Sequence, residues 1–243
     1  MVFWKRFIGV KTTNLLNTMT NYPDRIRIEV THLQSGDIMM KGADGSKSSS
    51  LIKVGQKLTH PFRDASIVHA GLLILDTDTQ GFKEFYVVES QKEGLKRNKL
   101  LTDNASYGYI VFRARDPQVQ EGLANTASFL ISQQKANTNI PYSYTGAISS
   151  IFQKQFGNNS LADRFLNTII EGEPLPLYCS KFVTFSLLAI HEQIQQTNTP
   201  SPLNKDFFKD INKSPSHLLE DLDKYINDFL CVGYLPPTNP PTT

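Results

Sequence analysis

The feature that most constrains the fold is a nine-residue apolar run, IVHAGLLIL, at residues 67–75. An apolar run of this length that is followed by turn-forming residues predicts a buried central strand. The residues DTDTQG at 76–81 predict a turn, and EFYVVES at 84–90 predicts a second strand, which pairs antiparallel with the first across this short connection. Two further strands are predicted, DIMM at 37–40 and YIVFRA at 109–114.

The remainder of the chain shows mainly helical patterns. Asp116-Pro117 predicts the start of a helix, the residues from Cys179 to about His191 predict a helix buried on most sides, and Ser214-Pro215 predicts a cap for a last helix whose apolar stripe reaches Phe229. The residues CVGYL at 231–235 predict a final strand. Strands followed by helices, with antiparallel pairing, indicate an α+β fold.

Composition and motifs exclude several functional classes. The 243 residues carry a net charge of only +2, without a block of Lys and Arg, so we expect no nucleic-acid partner. No glycine-rich phosphate loop follows a strand, so nucleotide binding is not predicted. The two cysteines, Cys179 and Cys231, are too few for a disulfide scaffold or a four-thiolate zinc site, although a single bridge between them stays open. We therefore predict no metal and no cofactor.

Hydropathy gives expectations about membranes and location. No run of about 18 apolar residues is present, so no transmembrane segment is predicted. The first residues, MVFWKRFIGV, favour a short helix docked on the core over a membrane-surface anchor, so peripheral membrane contact stays an alternative. Without a recognisable secretory signal, we expect a cytoplasmic protein or one exported by a non-Sec route, and the composition suits a bacterial effector.

Cys179 is the candidate nucleophile. Pro176 precedes it and an apolar run follows it, which places the thiol in the first turn of a buried helix. The partial positive charge of a helix N-terminus favours the thiolate, which is the reactive form of cysteine. A lone cysteine before an apolar helix is more often core filler, so the prediction of catalysis requires a base and a group that orients it.

Among the five histidines, His69 is the best-placed base, because it is a polar residue inside a strand that is otherwise apolar. His191 would lie about 18 Å along the helix axis from the thiol, too far to serve it. The remaining histidines lie in polar loops or open the last helix: His32, His60 and His217.

Glu89 is the candidate orienting group. A hairpin of residues 67–75 with 84–90 would place residue 69 opposite residue 89 or 90, within reach of the Glu89 carboxylate. A strand histidine alone is more often a satisfied core residue, but nucleophile, base and carboxylate together predict a Cys-His-Glu site. A His/Cys metal site is the weaker alternative, because the ligands lack paired spacing.

Several short motifs follow one another in a characteristic order. They are GDI at 36–38, VHAG at 68–71, VES at 88–90, PYSY at 141–144 and YCSKFV at 178–183, with SPSHL at 214–218 and VG at 232–233. This order, with histidine before cysteine, resembles the circularly permuted branch of the NlpC-type papain-like cysteine hydrolases, the YiiX-like amidases.

The resemblance implies an architecture. It implies a papain-like fold in which an antiparallel sheet or half-barrel packs on the buried cysteine helix. The catalytic domain would span 31–235 and carry a helical insertion at 147–172. Residues 1–30 would form an N-terminal helical or extended segment, and residues 236–243 a disordered tail.

The resemblance also implies an activity. Cys179 would be the nucleophile, His69 the base and Glu89 the polar third member, in an enzyme that cleaves an amide or ester bond of a peptide, isopeptide or lipid-acyl substrate. A lipid or protein acyltransferase and a non-catalytic binding module of the same fold stay open as alternatives. Four residues of the motifs are predicted to contact substrate: Tyr142, Tyr144, Tyr178 and Ser180. Ser143 stands where relatives carry an aspartate-like residue.

Overall fold

The structure is a computed structural model that describes residues 25–42, 67–77, 80–91, 94–136, 179–211 and 213–238. Within these ranges it has six strands, β1 Ile38–Gly42, β2 Ile67–Thr77, β3 Lys83–Gln91, β4 Gly94–Lys99, β5 Tyr109–Ala114 and β6 Phe229–Leu235. It also has three α-helices, α1 Pro117–Ala136, α2 Cys179–Gln196 and α3 Pro215–Lys224, and two short 3-10 helices, Val30–His32 and Lys205–Phe208.

The six strands form one sheet in the order β4-β3-β2-β1-β5-β6, and every neighbouring pair is antiparallel. The predicted α+β class is therefore confirmed. β2 lies inside the sheet between β3 and β1, as its apolar sequence predicts. The other four predicted strands are also present, with ends that differ by up to two residues.

The edge strand β4, with sequence GLKRNK, is absent from the sequence-based prediction. Its polar composition hides it, because Leu95 is the one buried residue among 95–99 while Lys96 points to solvent. Lysine-rich edge strands are common, since their charges discourage pairing with another chain.

One face of the sheet packs against the three helices. Residues of alternate sheet positions, such as Met40, Leu72 and Val88, share a core with α1, α2 and α3 and are fully buried. α1 is capped as predicted, because the Asp116 carboxylate accepts hydrogen bonds from the backbone N–H groups of Gln118 (2.8 Å) and Val119 (3.2 Å). The helices thus cover one face of the sheet by apolar burial.

Two helix ends differ from the prediction. α2 continues five residues beyond His191, to Gln196. α3 begins at the predicted Ser214 cap but ends at Lys224, so the stripe predicted to reach Phe229 was wrong. Phe229 is buried in β6 instead, while Ile226 in the connecting turn is 63% exposed. The helical spacing of apolar residues therefore continues in the sequence beyond Lys224, where α3 ends.

The opposite face of the sheet carries a second, smaller core. Met39, Leu73, Val87 and Val111 point to this side and pack with Ile28 and Leu33 from the segment before β1, together with Tyr109 and Leu235. Arg27 of that segment forms a parallel bridge with Tyr234 of β6. Both faces of the central strands are therefore covered.

A buried ion pair fixes the start of β1. Asp37 has no exposed surface, and its carboxylate accepts two hydrogen bonds of 2.8 Å from the Arg113 guanidinium on β5. Gly36 before it has φ +91°, and a Cβ atom there would lie 2.1 Å from the Gln120 carbonyl oxygen. The GD pair of the first motif thus has a structural role in bringing β1 against β5 and α1.

Three of the predictions fall outside the described residues. These are the N-terminal helix, the insertion at 147–172 and most of the tail. No helix within the described ranges is long and apolar enough to cross a membrane.

Candidate active site

Cys179 is the first residue of α2, as predicted. Its side chain is largely buried, with 6% of the residue exposed, because α2 buries Phe182 and Val183 completely against the sheet. The N–H groups of a first helical turn have no acceptor within the helix, and they point towards the helix start. Burial of α2 therefore holds the thiol at the positive end of the helix dipole.

His69 lies on β2 and reaches both the thiol and a carboxylate. The Cys179 side chain lies close enough to its ring to raise the pKa of His69 by attraction and hydrogen bonding. Its Nε2 atom lies 3.5 Å from Oε2 of Glu89, and 21% of its side chain is exposed. With Nε2 facing the carboxylate, Nδ1 is the ring nitrogen that remains for the thiol. The structure thus brings together the three residues predicted to be catalytic.

A β-bulge accompanies His69. Lys41 of β1 pairs with His69, but the next residue, Gly42, pairs with Ile67, so Val68 is an extra residue in β2. Bulges of this kind bend a strand and redirect its side chains. The sheet therefore changes its local geometry at the residue that meets the helix.

The predicted register of the hairpin, with residue 69 opposite residue 89 or 90, was wrong by one or two residues. Glu89 pairs with Gly71 rather than standing opposite residue 69. The strands continue into the predicted turn, where Asp76 pairs with Glu84 and Thr77 with Lys83, and this shifts the alignment. Glu89 still reaches His69 as a diagonal neighbour on the same face, a separation that long side chains span.

Gly71 makes this diagonal contact possible. A Cβ atom at this position would lie 2.8 Å from Val87 Cγ1 and from the Val88 carbonyl oxygen, and 3.0 Å from Glu89 Cγ. Only a residue without a side chain leaves room for the Glu89 side chain to extend over β2. Steric crowding therefore explains why the VHAG motif has a glycine at this position.

Glu89 is fully buried and its oxygens are surrounded by donors. Oε1 accepts a hydrogen bond of 3.3 Å from Lys41 Nζ. Oε2 faces His69 and also accepts hydrogen bonds from Gln91 Nε2 (3.3 Å) and Asn98 Nδ2 (3.5 Å). A buried carboxylate is stable only when it is paired in this way.

The electrostatics favour the charged forms of His69 and Glu89. Burial alone would lower the pKa of His69, but attraction to Cys179, the hydrogen bond to it and the interactions with Glu89 raise that pKa to about 10. Burial alone would raise the pKa of Glu89, but the hydrogen bond and charge of His69, followed by those of Lys41, lower it. The arrangement suits an imidazolium beside a carboxylate and a thiol.

Three side chains around Glu89 were missed at the sequence level: Lys41, Gln91 and Asn98. The strand predicted at 37–40 ended before Lys41, and this end was wrong, because β1 continues through Lys41 and Gly42. Gln91 sits two residues after Glu89 on β3, and Asn98 belongs to the edge strand β4, which the prediction lacks. A lysine directly after an apolar strand was the only signal for a buried charge here.

The four residues predicted to contact substrate divide into two groups. Tyr142, Tyr144 and Tyr178 lie outside the described residues. Ser180 is fully buried, and its hydroxyl donates a hydrogen bond of 2.5 Å to the Lys213 carbonyl. Substrate contact by these residues stays a prediction, and the observed bond ties the start of α2 to the segment before α3.

Cys231, the second cysteine, has a different environment. Neither cysteine forms a disulfide, and Cys231 lies on β6, where its sulfur accepts a hydrogen bond of 2.6 Å from Arg25. Burial raises the pKa of this thiol despite the nearby guanidinium.

His191 lies in α2, and its Nδ1 atom is hydrogen-bonded to the Ser201 hydroxyl at 2.7 Å.

No group of three or more His, Cys, Asp or Glu side chains in the described part of the chain is arranged to hold a metal ion. Comparisons of the chain with protein-family models, with curated proteins and with solved structures find no match.

Proposed function

We propose that the protein is a thiol-dependent acyl-transfer enzyme, a hydrolase of an amide or ester bond, with Cys179 as nucleophile, His69 as acid and base, and Glu89 as the group that orients the imidazole. The chain of contacts from Cys179 through His69 to Glu89 is the observation that carries this proposal. The order of the motifs further favours a permuted papain-like fold of the NlpC type.

The proposed reaction has two halves. The Cys179 thiolate attacks the substrate carbonyl carbon, and His69 gives its proton to the departing amine or alcohol as the acyl-enzyme forms. In the second half a water molecule loses a proton to His69 and attacks the acyl carbon, and Cys179 leaves as thiolate. The N–H groups at the start of α2 face the oxygen that becomes negative in each half.

Selective alkylation tests the nucleophile. Iodoacetamide should modify Cys179 well below pH 8 and much faster than Cys231, because only Cys179 has an imidazolium neighbour at a helix start. Peptide mass spectrometry after timed labelling measures both rates in one protein, and Cys231→Ser is the control that leaves the Cys179 rate unchanged. Equal, slow labelling of both thiols would support the binding-module alternative.

An acyl probe tests the chemistry. Wild-type protein should form a thioester with an activated acyl donor, and Cys179→Ala should not. A panel of peptide, isopeptide and lipid-acyl substrates then identifies the bond, and the choice between water and an added amine or alcohol acceptor separates a hydrolase from a transferase. A reactive Cys179 that forms no acyl adduct with any donor would contradict the proposal.

A further inference from the structure

Lys41 is a charged side chain that the sheet encloses. It is 7% exposed, and its Nζ atom donates hydrogen bonds to Asn104 Oδ1 (3.0 Å) and Glu89 Oε1 (3.3 Å). The ammonium also lies 3.7 Å from the centroid of the Tyr107 ring. Burying an ammonium is unfavourable unless it is well paired, so these contacts are needed to keep the charge in place.

The sheet register places this charge beside the proposed base. Lys41 pairs directly with His69 across β1 and β2, and Glu89 lies on the same face one strand further on. The two carboxylate oxygens are divided between two cations, with Oε1 facing Lys41 and Oε2 facing His69. One buried carboxylate therefore bridges two positive groups.

We propose that Lys41 is a positioning residue that acts through Glu89: it holds Oε1 so that Oε2 faces His69, and it keeps the carboxylate ionised when His69 gives its proton away. This inference rests on the proposed function, since it assigns a role in the same proton transfer. It adds a fourth member to the Cys-His-Glu arrangement.

Proton movement gives the physical reason. When His69 protonates the leaving group, the imidazole becomes neutral, and Glu89 would be left as a buried carboxylate without a positive partner. Such a group binds a proton more tightly, so His69 would hold its own proton more strongly in order to stay paired. Lys41 supplies the counter-charge throughout and makes it easier for His69 to release the proton.

Other charged groups do not substitute for Lys41 among the described residues that face this cluster. From α2, His69 meets the Cys179 thiol. On the strands, Glu89 meets Tyr109, whose phenol pKa is raised well above its ordinary value, mainly by burial and then by the Glu89 charge. Lys96, the cross-strand partner of Glu89 on β4, is exposed.

The test measures the titration of His69 in protein that carries Cys179→Ala, so that it does not depend on catalysis. The imidazole resonances are followed by NMR against pH in this background and with Lys41→Met, Lys41→Arg, Glu89→Gln, and Lys41→Met combined with Glu89→Gln. Lys41→Met should raise the His69 midpoint by about 1 pH unit, and Lys41→Arg should leave it within about 0.3. In the Glu89→Gln background, Lys41→Met should shift the midpoint by less than half as much.

A midpoint that stays constant or falls with Lys41→Met overturns the inference, and so does an equal rise with and without Glu89. If Lys41→Met does not fold, Lys41→Gln provides the neutral variant, because its amide still donates to a carboxylate, and the same rise is expected. Failure of wild type to form an acyl adduct would end the proposed function while leaving this shift intact, so the two failures are distinguishable.

A second readout separates positioning from general stability. With Cys179 present, Lys41→Met should slow acylation by an amide donor about 10-fold and acylation by a p-nitrophenyl ester less than about 2-fold, because only the amide leaving group needs the proton of His69. An equal loss with both donors would indicate a structural role only and would overturn the inference.

Discussion

Two clusters in this protein have the same three components, a lysine, a carboxylate and a histidine. In one, Glu89 lies between Lys41 and His69. In the other, Asp221 lies 2.8 Å from Lys213 Nζ and 3.7 Å from His217 Nε2. Both lysines are buried and both lie over an aromatic ring, Tyr107 in the first cluster and Phe207 in the second.

The difference lies in the fourth group. His69 meets the Cys179 thiol at the start of α2, whereas Nδ1 of His217 lies 3.3 Å from Oδ2 of Asp210, whose side chain is 50% exposed. Lys213 also donates to the Phe207 carbonyl, a contact that joins the 3-10 helix Lys205–Phe208 to the segment before α3. A lysine–carboxylate–histidine cluster is thus a way to bury charge, and only the first cluster places the proposed nucleophile, Cys179, beside its histidine.

Replacing each histidine tests this contrast most strongly. His69→Asn should lower the rate of Cys179 alkylation at pH 6.5 by about 100-fold or more, because the thiolate loses its imidazolium partner. His217→Asn should change that rate by less than about 2-fold. Timed iodoacetamide labelling with mass spectrometry measures both, and Cys231 is the internal reference. Similar losses in the two variants would remove the distinction between the clusters.

Removal of the second lysine should affect stability rather than reactivity. Lys213→Met should lower the free energy of unfolding by about 3 kcal/mol, because it leaves a buried carbonyl without its donor and Asp221 with only the more distant His217. The matched control is Lys209→Met, since the exposed Lys209 pairs with Asp206 at 3.2 Å and such a surface pair contributes at most about 1 kcal/mol. Urea denaturation measures both. Equal effects would show that the second cluster does not stabilise the fold.

Gly71→Ala should disturb the first cluster only. The added methyl group meets Val87, the Val88 carbonyl and Glu89, so the free energy of unfolding should fall by about 2 kcal/mol and alkylation of Cys179 should slow. Gly81→Ala is the control, because Gly81 has φ +88° but no atom within 4 Å of a Cβ; it should cost about 1 kcal/mol and leave alkylation unchanged. Unchanged alkylation in Gly71→Ala would argue against a steric role for this glycine.

The thiol should also be visible in the titration of His69. The pKa of His69 is raised to about 10, and Cys179 gives the largest of the contributions that raise it, so Cys179→Ala should lower the midpoint by at least about 1 pH unit. Since the folded pKa lies above the unfolded value of about 6.5, the stability that His69 contributes is complete below pH 6.5 and is lost as the pH rises through about 10. NMR of the imidazole measures the midpoint. A midpoint that is insensitive to Cys179→Ala would show that His69 and Cys179 do not interact.

The sequence predicts the parts of the fold that depend on local pattern. Apolar and β-branched runs identify β2, β3 and β5, and the polar residue in β2 identifies His69. The hairpin also brings Glu89 near His69, although the exact register depends on how far the strands extend past Asp76. That extension is decided by pairing energies along both strands, which the turn residues alone do not reveal.

The missed residues depend on tertiary context. Lys41 reads as the start of a polar loop, because its burial needs partners from β3 and the segment after β4. Asn98 lies in a strand of mostly polar residues that forms only because β3 offers an open edge. The pairing of Lys213 with Asp221 across eight residues likewise has no local signature.

Strand β4 has a consequence for motion at the site. By pairing with β3 it turns the strand that carries Glu89 from the border of the sheet into an interior strand, with hydrogen bonds on both sides. Amide hydrogens in such a strand exchange slowly, because they open only with a larger unit of the fold. The least apolar strand of the sheet therefore helps to hold the buried Glu89 carboxylate on a backbone that resists local fluctuation.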